Sequence, residues 1–214
     1  MSLHTLILAA GCGSRFNRDS ANDNLAQAEK NIKQLAIISG QSLLQRSVDI
    51  ASALTPGEVT VVLGYQYEIL QPLLQNLRTV INLHWHLGLG NSIASGVATL
   101  PSHVSAVLIF LCDQVALSFE DLKCLQACYE NALENNSSNI ICAEYEGSLG
   151  VPAIFPRLYF SQLSALDGDQ GAKQLLFSNP IISLSIAAAA IDIDTQAQLH
   201  EFIAGQPISS LETF

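Results

Sequence analysis

Apolar runs alternate with amphipathic stretches along most of this chain. The segments "TLILAA", "EVTVVLG", "TVINLHW" and "AVLIFLCD" are dense in Leu, Ile and Val, which predicts strands buried on both faces. Between and after them, "QSLLQRSVDIASAL", "YEILQPLLQNL", a stretch opening at "NSIASGVATL" and "SFEDLKCLQACYENALENN" repeat apolar residues at helical spacing. In the last, Ser118 reads as the cap and Asp121 as a first-turn acid. This β-α-β-α-β alternation predicts an α/β fold, a mostly parallel sheet with helices on both faces, in one domain over residues 1–214. Ligands of such sheets sit outside the carboxyl ends of the strands. Ala10 to Arg15 fall there after the first strand, Gly64 after the second and Asp113 after the fourth.

Three segments depart from the rhythm. Asn17 to Lys30, "NRDSANDNLAQAEK", is polar and rich in Asn and Asp, and reads as an exposed loop or short irregular helix over the site. "CAEYEGSLGVPAIFPRLYFSQLSALDGDQGAKQLL" mixes strand and turn signals, which suggests a β excursion followed by two short helices. "SIAAAAIDID" reads as a late strand or its approach. His84 and His86 of "HWH" would share a strand face, but no third metal ligand accompanies them.

Composition narrows the partners. Only 13% of residues are charged and the net charge is -10, so no basic face exists for nucleic acid. An anionic ligand would have to be met by a few Lys or Arg, backbone N–H groups or a divalent cation. The five cysteines are odd in number and form no C-x-x-C pair, which predicts reduced thiols and a cytoplasmic protein. Cys124 and Cys128 share a helix face and read as small core residues. The N-terminal apolar run is too short for a signal peptide, and no later run approaches membrane-spanning length.

The chemistry begins at "LILAAGCGSRF", Leu6 to Phe16, where a buried strand runs into two glycines, a serine and an arginine. Dinucleotide folds, phosphate loops and nucleotidyltransferases all use such a turn, as does a plain strand-to-helix connection. Phe16 stands where a dinucleotide fingerprint needs its third glycine, and the Gly-Lys-Ser/Thr of a phosphate loop is missing.

The whole arrangement resembles the MobA-like nucleotidyltransferase family, and within it the molybdenum cofactor cytidylyltransferases. Leu8-Ala9-Ala10-Gly11, then Gly13, Ser14 and Arg15, match the family's opening, with Lys33 of "KQLAIISGQSLL" as its lysine and Lys30 as the alternative. Asn82, Trp85, Gly88, Gly90 and Ser92 match an Asn-x-x-Trp segment and Gly/Ser-rich helix start, and Asp113-Gln114 an Asp-Gln-Pro strand end. "GVPAIF", "GDQGAK" and "DIDTQAQL" follow in the family's order.

The resemblance implies a Rossmann-like, three-layer nucleotidyltransferase domain that transfers CMP from CTP to the phosphate of molybdopterin and releases pyrophosphate. It implies that Leu8, Ala9, Ala10, Gly11, Gly13, Ser14, Arg15, Lys33, Gly64, Gly90, Ser92 and Asp113 bind the nucleotide and that Arg15, Lys33 and Asp113 are catalytic, with Arg15 on the triphosphate and Lys33 reaching the α-phosphate. Asp113 and Asp194 would hold Mg²⁺, with Asp192 a weaker claimant. Gly150, Pro152, Asp169 and Lys173 would line the acceptor side, although Asp169 also reads as the cap of the helix after it. The implied partners are a small-molecule nucleotide, a phosphate-bearing acceptor and a molybdoenzyme or its maturation factor, with neither nucleic acid nor membrane.

Departures gather on the acceptor side. Val115, Val151, Lys173 and Gln196 replace the family's Pro, His, Arg and Pro, and Lys cannot reproduce a bidentate Arg contact. Other nucleotides such as GTP, other acceptors such as a sugar phosphate, and a nucleotide-binding escort without catalysis therefore stay open.

Overall fold

The computed structural model describes residues 2–18, 32–169 and 171–205. The expected loop from Asn17 to Lys30 lies mostly outside these residues, as does Lys30 itself. The uninterrupted apolar runs become strands β1 (Leu3–Ala9), β4 (Val59–Leu63), β5 (Arg78–Ile81) and β6 (Ala106–Leu111). The short hairpin strands β2 (Ile37–Ile38) and β3 (Gln41–Ser42) form a separate ribbon. β7 (Ile140–Tyr145), β8 (Ser148–Pro156) and β9 (Ile181–Ser185) complete a seven-stranded sheet of order β5-β4-β1-β6-β8-β7-β9. β8 runs antiparallel to both β6 and β7, and every other neighbouring pair is parallel. The fold is thus α/β with a mostly parallel, mixed sheet.

Alternation within β1 builds the two cores. Ile7 and Ala9 face helices α2 (Leu43–Leu54) and α5 (Phe119–Glu134), whereas Leu6 and Leu8 face α4 (Leu89–Val97) and α7 (Lys173–Ser178). Helix α1 (Ser14–Arg18) is short, and its Phe16, 1% exposed, pins the turn after β1 into the first of these cores. Burying a side chain of this size contributes roughly 1.5–3 kcal/mol. Ser118 caps α5 through a reciprocal capping box with Asp121, as the sequence suggests.

Several elements end sooner than their apolar patterns suggest. Helix α3 spans only Tyr67–Leu70 and tightens into a 3-10 turn at Gln71–Leu74, because Pro72 cannot donate to an α-helical ladder. β5 stops at Ile81, so His84 and His86 do not lie on a strand face: the chain turns at Asn82 and enters a 3-10 turn at Trp85–Leu87. The expected late strand at "SIAAAAIDID" is another 3-10 turn, Ala187–Ala190, and the strand there is β9. Cys124 is exposed, so it is no core residue, and Cys128 is half-buried. The β excursion is the β7–β8 hairpin, followed by short helices α6 (Phe160–Ser164) and α7. Helix α8 (Gln196–Ile203) closes the described chain. No helix among the described residues is long and apolar enough to cross a membrane.

Candidate active site

From β1 the sheet grows through β4 and β5 in one direction and through β6 in the other. The carboxyl ends of β1 and β6 therefore flank the point where connections diverge and leave a crevice. The turn from Ala10 to Ser14 follows β1 at this edge, and Asp113 follows β6.

The glycine turn is shaped from beneath by Gln34. Its Nε2 donates to the Ala9 carbonyl at 2.9 Å and to the Gly11 carbonyl at 2.8 Å. The backbone N–H groups of Gly11, Cys12 and Gly13 donate to no described acceptor, and successive amides of this kind suit an anion. Gly13 has φ +58°, and a Cβ on it would lie 3.0 Å from the Lys33 Cβ. Glycine is needed there for the left-handed backbone and for the lysine stem that crosses it.

Lys33 runs along this turn, 93% buried, and its ammonium lies between two carboxylates. Nζ donates to Asp113 Oδ2 at 2.5 Å and to Asp194 Oδ1 at 2.7 Å. Arg15 Nη1, much more exposed, donates to the other Asp194 oxygen at 2.9 Å. Asp194 is brought in from the far end of the chain by two devices. The Ile193 N–H donates to the Asp113 carbonyl at 3.2 Å. Thr195 then caps α8 in a box with Gln198, whose Oε1 also accepts from the Asp194 N–H at 2.8 Å. Arg15, Lys33, Asp113 and Asp194 thus meet in one cluster.

Burial alone would depress the Lys33 ammonium, but the charges of Asp113 and Asp194 outweigh it and hold the group above the ordinary lysine range. Burial likewise pushes Asp194 up, and Lys33 followed by Arg15 reverses this to leave it below the usual carboxylate value. Asp192 forms no ion pair among the described residues; desolvation, then Asp194 and Asp113, raise its pKa. The Cys112 thiol is pushed to about 12 by burial and then by Asp113, so it stays protonated and is no nucleophile.

The second Asp113 oxygen, Oδ1, is buried and accepts no hydrogen bond from any described residue. An unsatisfied carboxylate oxygen beside a second carboxylate fits a hard divalent cation that takes few protein ligands and keeps water or phosphate oxygens for the rest.

Two cavities flank the end of β1 and share Leu8. One, of about 70 Å³, lies among Gly11, Gly13, Lys33, Gln34 and Asp113. The other, of about 440 Å³, is bordered by Ile93, Tyr145, Gly150, Asp169 and Lys173. Pro152 is buried and does not line it; Val151 does. Asp169 does not cap α7, whose first turn receives no side-chain bond. Gly64, Gly90 and Ser92 are buried against protein. A Cβ on Gly64 would meet the Trp85 Cβ at 2.5 Å and the Ala10 carbonyl at 2.7 Å. One on Gly90 would meet the Asp167 carbonyl at 2.7 Å, and Ser92 Oγ accepts from Asn82 Nδ2 at 3.1 Å.

Gln34 and Gln114 are the residues that carry this geometry without having stood out as site residues. Gln114 Nε2 donates to the Val151 and Ala189 carbonyls at 2.8 and 3.0 Å, while its Oε1 accepts from the Leu111 N–H. It thereby locks the end of β6 to both segments that approach it. The signal for Gln34 is its place directly after the candidate lysine.

Among curated proteins, the bifunctional protein GlmU of Mycobacterium ulcerans is 29% identical over 111 residues, 49% of this chain and 20% of its own. The chain thus spans about a fifth of the length of that relative. Among solved structures, Rv0371c from Mycobacterium tuberculosis superposes with TM-score 0.76 at 19% identity, covering 95% of this chain and 98% of that one. It has also been solved in complex with manganese. Molybdopterin-guanine dinucleotide biosynthesis protein A from Archaeoglobus fulgidus gives 0.62 at 12% identity, with 92% and 95% covered. A family model, the MobA-like NTP transferase domain, matches residues 5–182, and the chain belongs to that family.

Proposed function

We propose that this nucleotidyltransferase is a CTP-dependent, divalent-cation-requiring enzyme that transfers CMP to the phosphate of molybdopterin. The observation that carries the reading is the Lys33 ammonium held between Asp113 and Asp194 at the mouth of a glycine turn whose amides donate to no described residue. In the reaction an acceptor phosphate oxygen forms a bond to the α-phosphorus of CTP as the bond to the β-phosphate oxygen breaks, and pyrophosphate leaves. Such transfer depends on in-line positioning and on neutralising charge.

The amides of Gly11 to Gly13, with Arg15, hold the triphosphate. Lys33 exchanges a carboxylate for an α-phosphate oxygen and stabilises the charge that develops on it. Asp113 and Asp194 would hold Mg²⁺ or a similar ion, which supplies further neutralisation of the phosphates when bound. The manganese complex of Rv0371c supports divalent metal use. CTP rests on the Leu8-Ala9-Ala10-Gly11 form of the turn, and molybdopterin on the order of the later motifs together with the likeness to the Archaeoglobus protein. The acceptor would enter the cavity beside Gly150, with Lys173 at its rim to meet a phosphate.

Pyrophosphate release is measured with CTP, Mg²⁺ and molybdenum cofactor, against the other three NTPs. Asp113→Ala and Lys33→Ala should each lower kcat by about 10²–10³-fold. Full activity in both variants would reject the mechanism, turnover with GTP alone would reassign the nucleotide, and tight CTP binding without pyrophosphate would favour an escort protein.

A further inference from the structure

In the free protein the two carboxylates suited to a divalent cation are already neutralised from within. The Lys33 ammonium bonds Asp113 Oδ2 at 2.5 Å and Asp194 Oδ1 at 2.7 Å, and Arg15 Nη1 bonds Asp194 Oδ2 at 2.9 Å. Two negative charges therefore meet two positive ones, and three of the four carboxylate oxygens are engaged. Only the fourth, Asp113 Oδ1, has no partner among the described residues.

Geometry makes the ammonium and a bridging cation rivals. Mg²⁺ holds its oxygens at about 2.1 Å, so an ion bridging Asp113 Oδ2 and Asp194 Oδ1 would stand within about 5 Å of Lys33 Nζ. A divalent and a monovalent cation so close together in a partly buried site repel each other strongly. The carboxylates are also too small a donor set by themselves: no group of three or more His, Cys, Asp or Glu among the described residues could hold a metal ion. An Mg²⁺ site of this kind is completed by phosphate oxygens and water.

Lys33 has no simple way to withdraw. Its side chain is buried, and an ammonium parted from both carboxylates would be left charged without a partner, which is costly. An anion-binding feature lies beside it, because the amides of Gly11, Cys12 and Gly13 donate to no described acceptor. The Lys33 Cβ stands 3.0 Å from where a Gly13 side chain would begin. A phosphate on this turn is therefore within the sweep of the flexible lysine stem.

We propose that Lys33 is a placeholder for the divalent cation. It keeps the ion out of the free protein and gives up the carboxylates only when a triphosphate on the glycine turn takes its ammonium, so that nucleotide and metal bind as one coupled event. The inference rests on the nucleotidyltransferase reading of this site, though not on the choice of CTP or molybdopterin.

The test uses Mn²⁺ as the probe, with free and bound ion distinguished by electron paramagnetic resonance, on the full chain without an acceptor so that no turnover occurs. Without nucleotide, the wild type should bind Mn²⁺ more weakly, by about tenfold or more, than with saturating amounts of the NTP that supports pyrophosphate release, once Mn²⁺ held by that NTP in solution is subtracted. Because coupling is reciprocal, Mn²⁺ should tighten NTP binding by the same factor in calorimetry. Lys33→Met without nucleotide should bind Mn²⁺ about tenfold more tightly than the wild type, and adding Asp113→Asn should abolish that gain, which locates it. Arg15→Gln leaves the ammonium in place and should gain much less. A misfolded variant could not gain affinity, and the wild-type comparison needs no variant. Equal Mn²⁺ affinity with and without NTP, no gain in Lys33→Met, or an equal gain in Arg15→Gln would each overturn the proposal, and normal pyrophosphate release alongside would leave the functional reading intact. Absence of pyrophosphate release with every NTP would instead reject that reading, and the proposal with it.

Discussion

Lys33 is the residue on which the cluster turns. Replacing it with Met leaves Asp113 without its cation and Asp194 with Arg15 alone, which should destabilise the free protein by about 1–3 kcal/mol in urea unfolding. The pH dependence has a definite sign. Asp194 titrates below its unfolded value near 3.8, so its contribution is present above that value and lost as pH falls through the folded one. Lys33 titrates above 10.5, so its contribution is lost only as pH rises through its raised value. The stability gap between the wild type and Lys33→Met should therefore be flat from about pH 5 to 9 and shrink below about pH 4. Gln34→Leu removes the donor shared by the Ala9 and Gly11 carbonyls and should raise the KM for the nucleotide about tenfold with a smaller change in kcat, as steady-state kinetics would show. The glycine turn and Asp113 were legible because each follows a buried apolar run. Gln34 was not, because a glutamine between a lysine and a leucine has no distinguishing pattern until the fold buries it.

At the scale of elements, turns position the site as much as strands do. Gly64 ends β4 with the Trp85 side chain and the Ala10 carbonyl packed against it, and the Tyr65 N–H donates to that same carbonyl at 2.9 Å. Gly64→Ala would force backbone apart, since neither neighbour is the end of a flexible chain. A loss of about 1–3 kcal/mol in urea unfolding is expected, together with weaker nucleotide binding by titration. At α5 the loss of one cap bond in Ser118→Ala should cost about 1 kcal/mol and leave transfer unchanged. Periodicity made the existence of these elements readable, and the α5 cap as well. It did not make their ends readable at Pro72 or Asn82, where a missing donor and a turn override continuing apolar residues.

Across the whole molecule, the parallel half of the sheet was readable from strand and helix alternation, whereas the reversed insertion of β8 between β6 and β7 is set by pairing that local pattern does not encode. The amino-terminal edge of the sheet also carries its own acid sensitivity. His4 is buried at 1% exposure between Glu58 and Thr60. Burial, first among its causes, puts its folded pKa below the unfolded 6.5. Stability from this group is therefore present above 6.5 and declines as pH falls below it, because the unfolded chain takes up the proton first. Chemical denaturation at pH 7 and pH 5 should show that decline, and His4→Gln should flatten it. The reversed strand has a further consequence during synthesis on the ribosome. One side of β6 finds its partner only in β8, which emerges after α5 and β7. At about 5–20 residues per second the nascent chain carries that open side for a few seconds, an interval in which a chaperone has an apolar strand to shield.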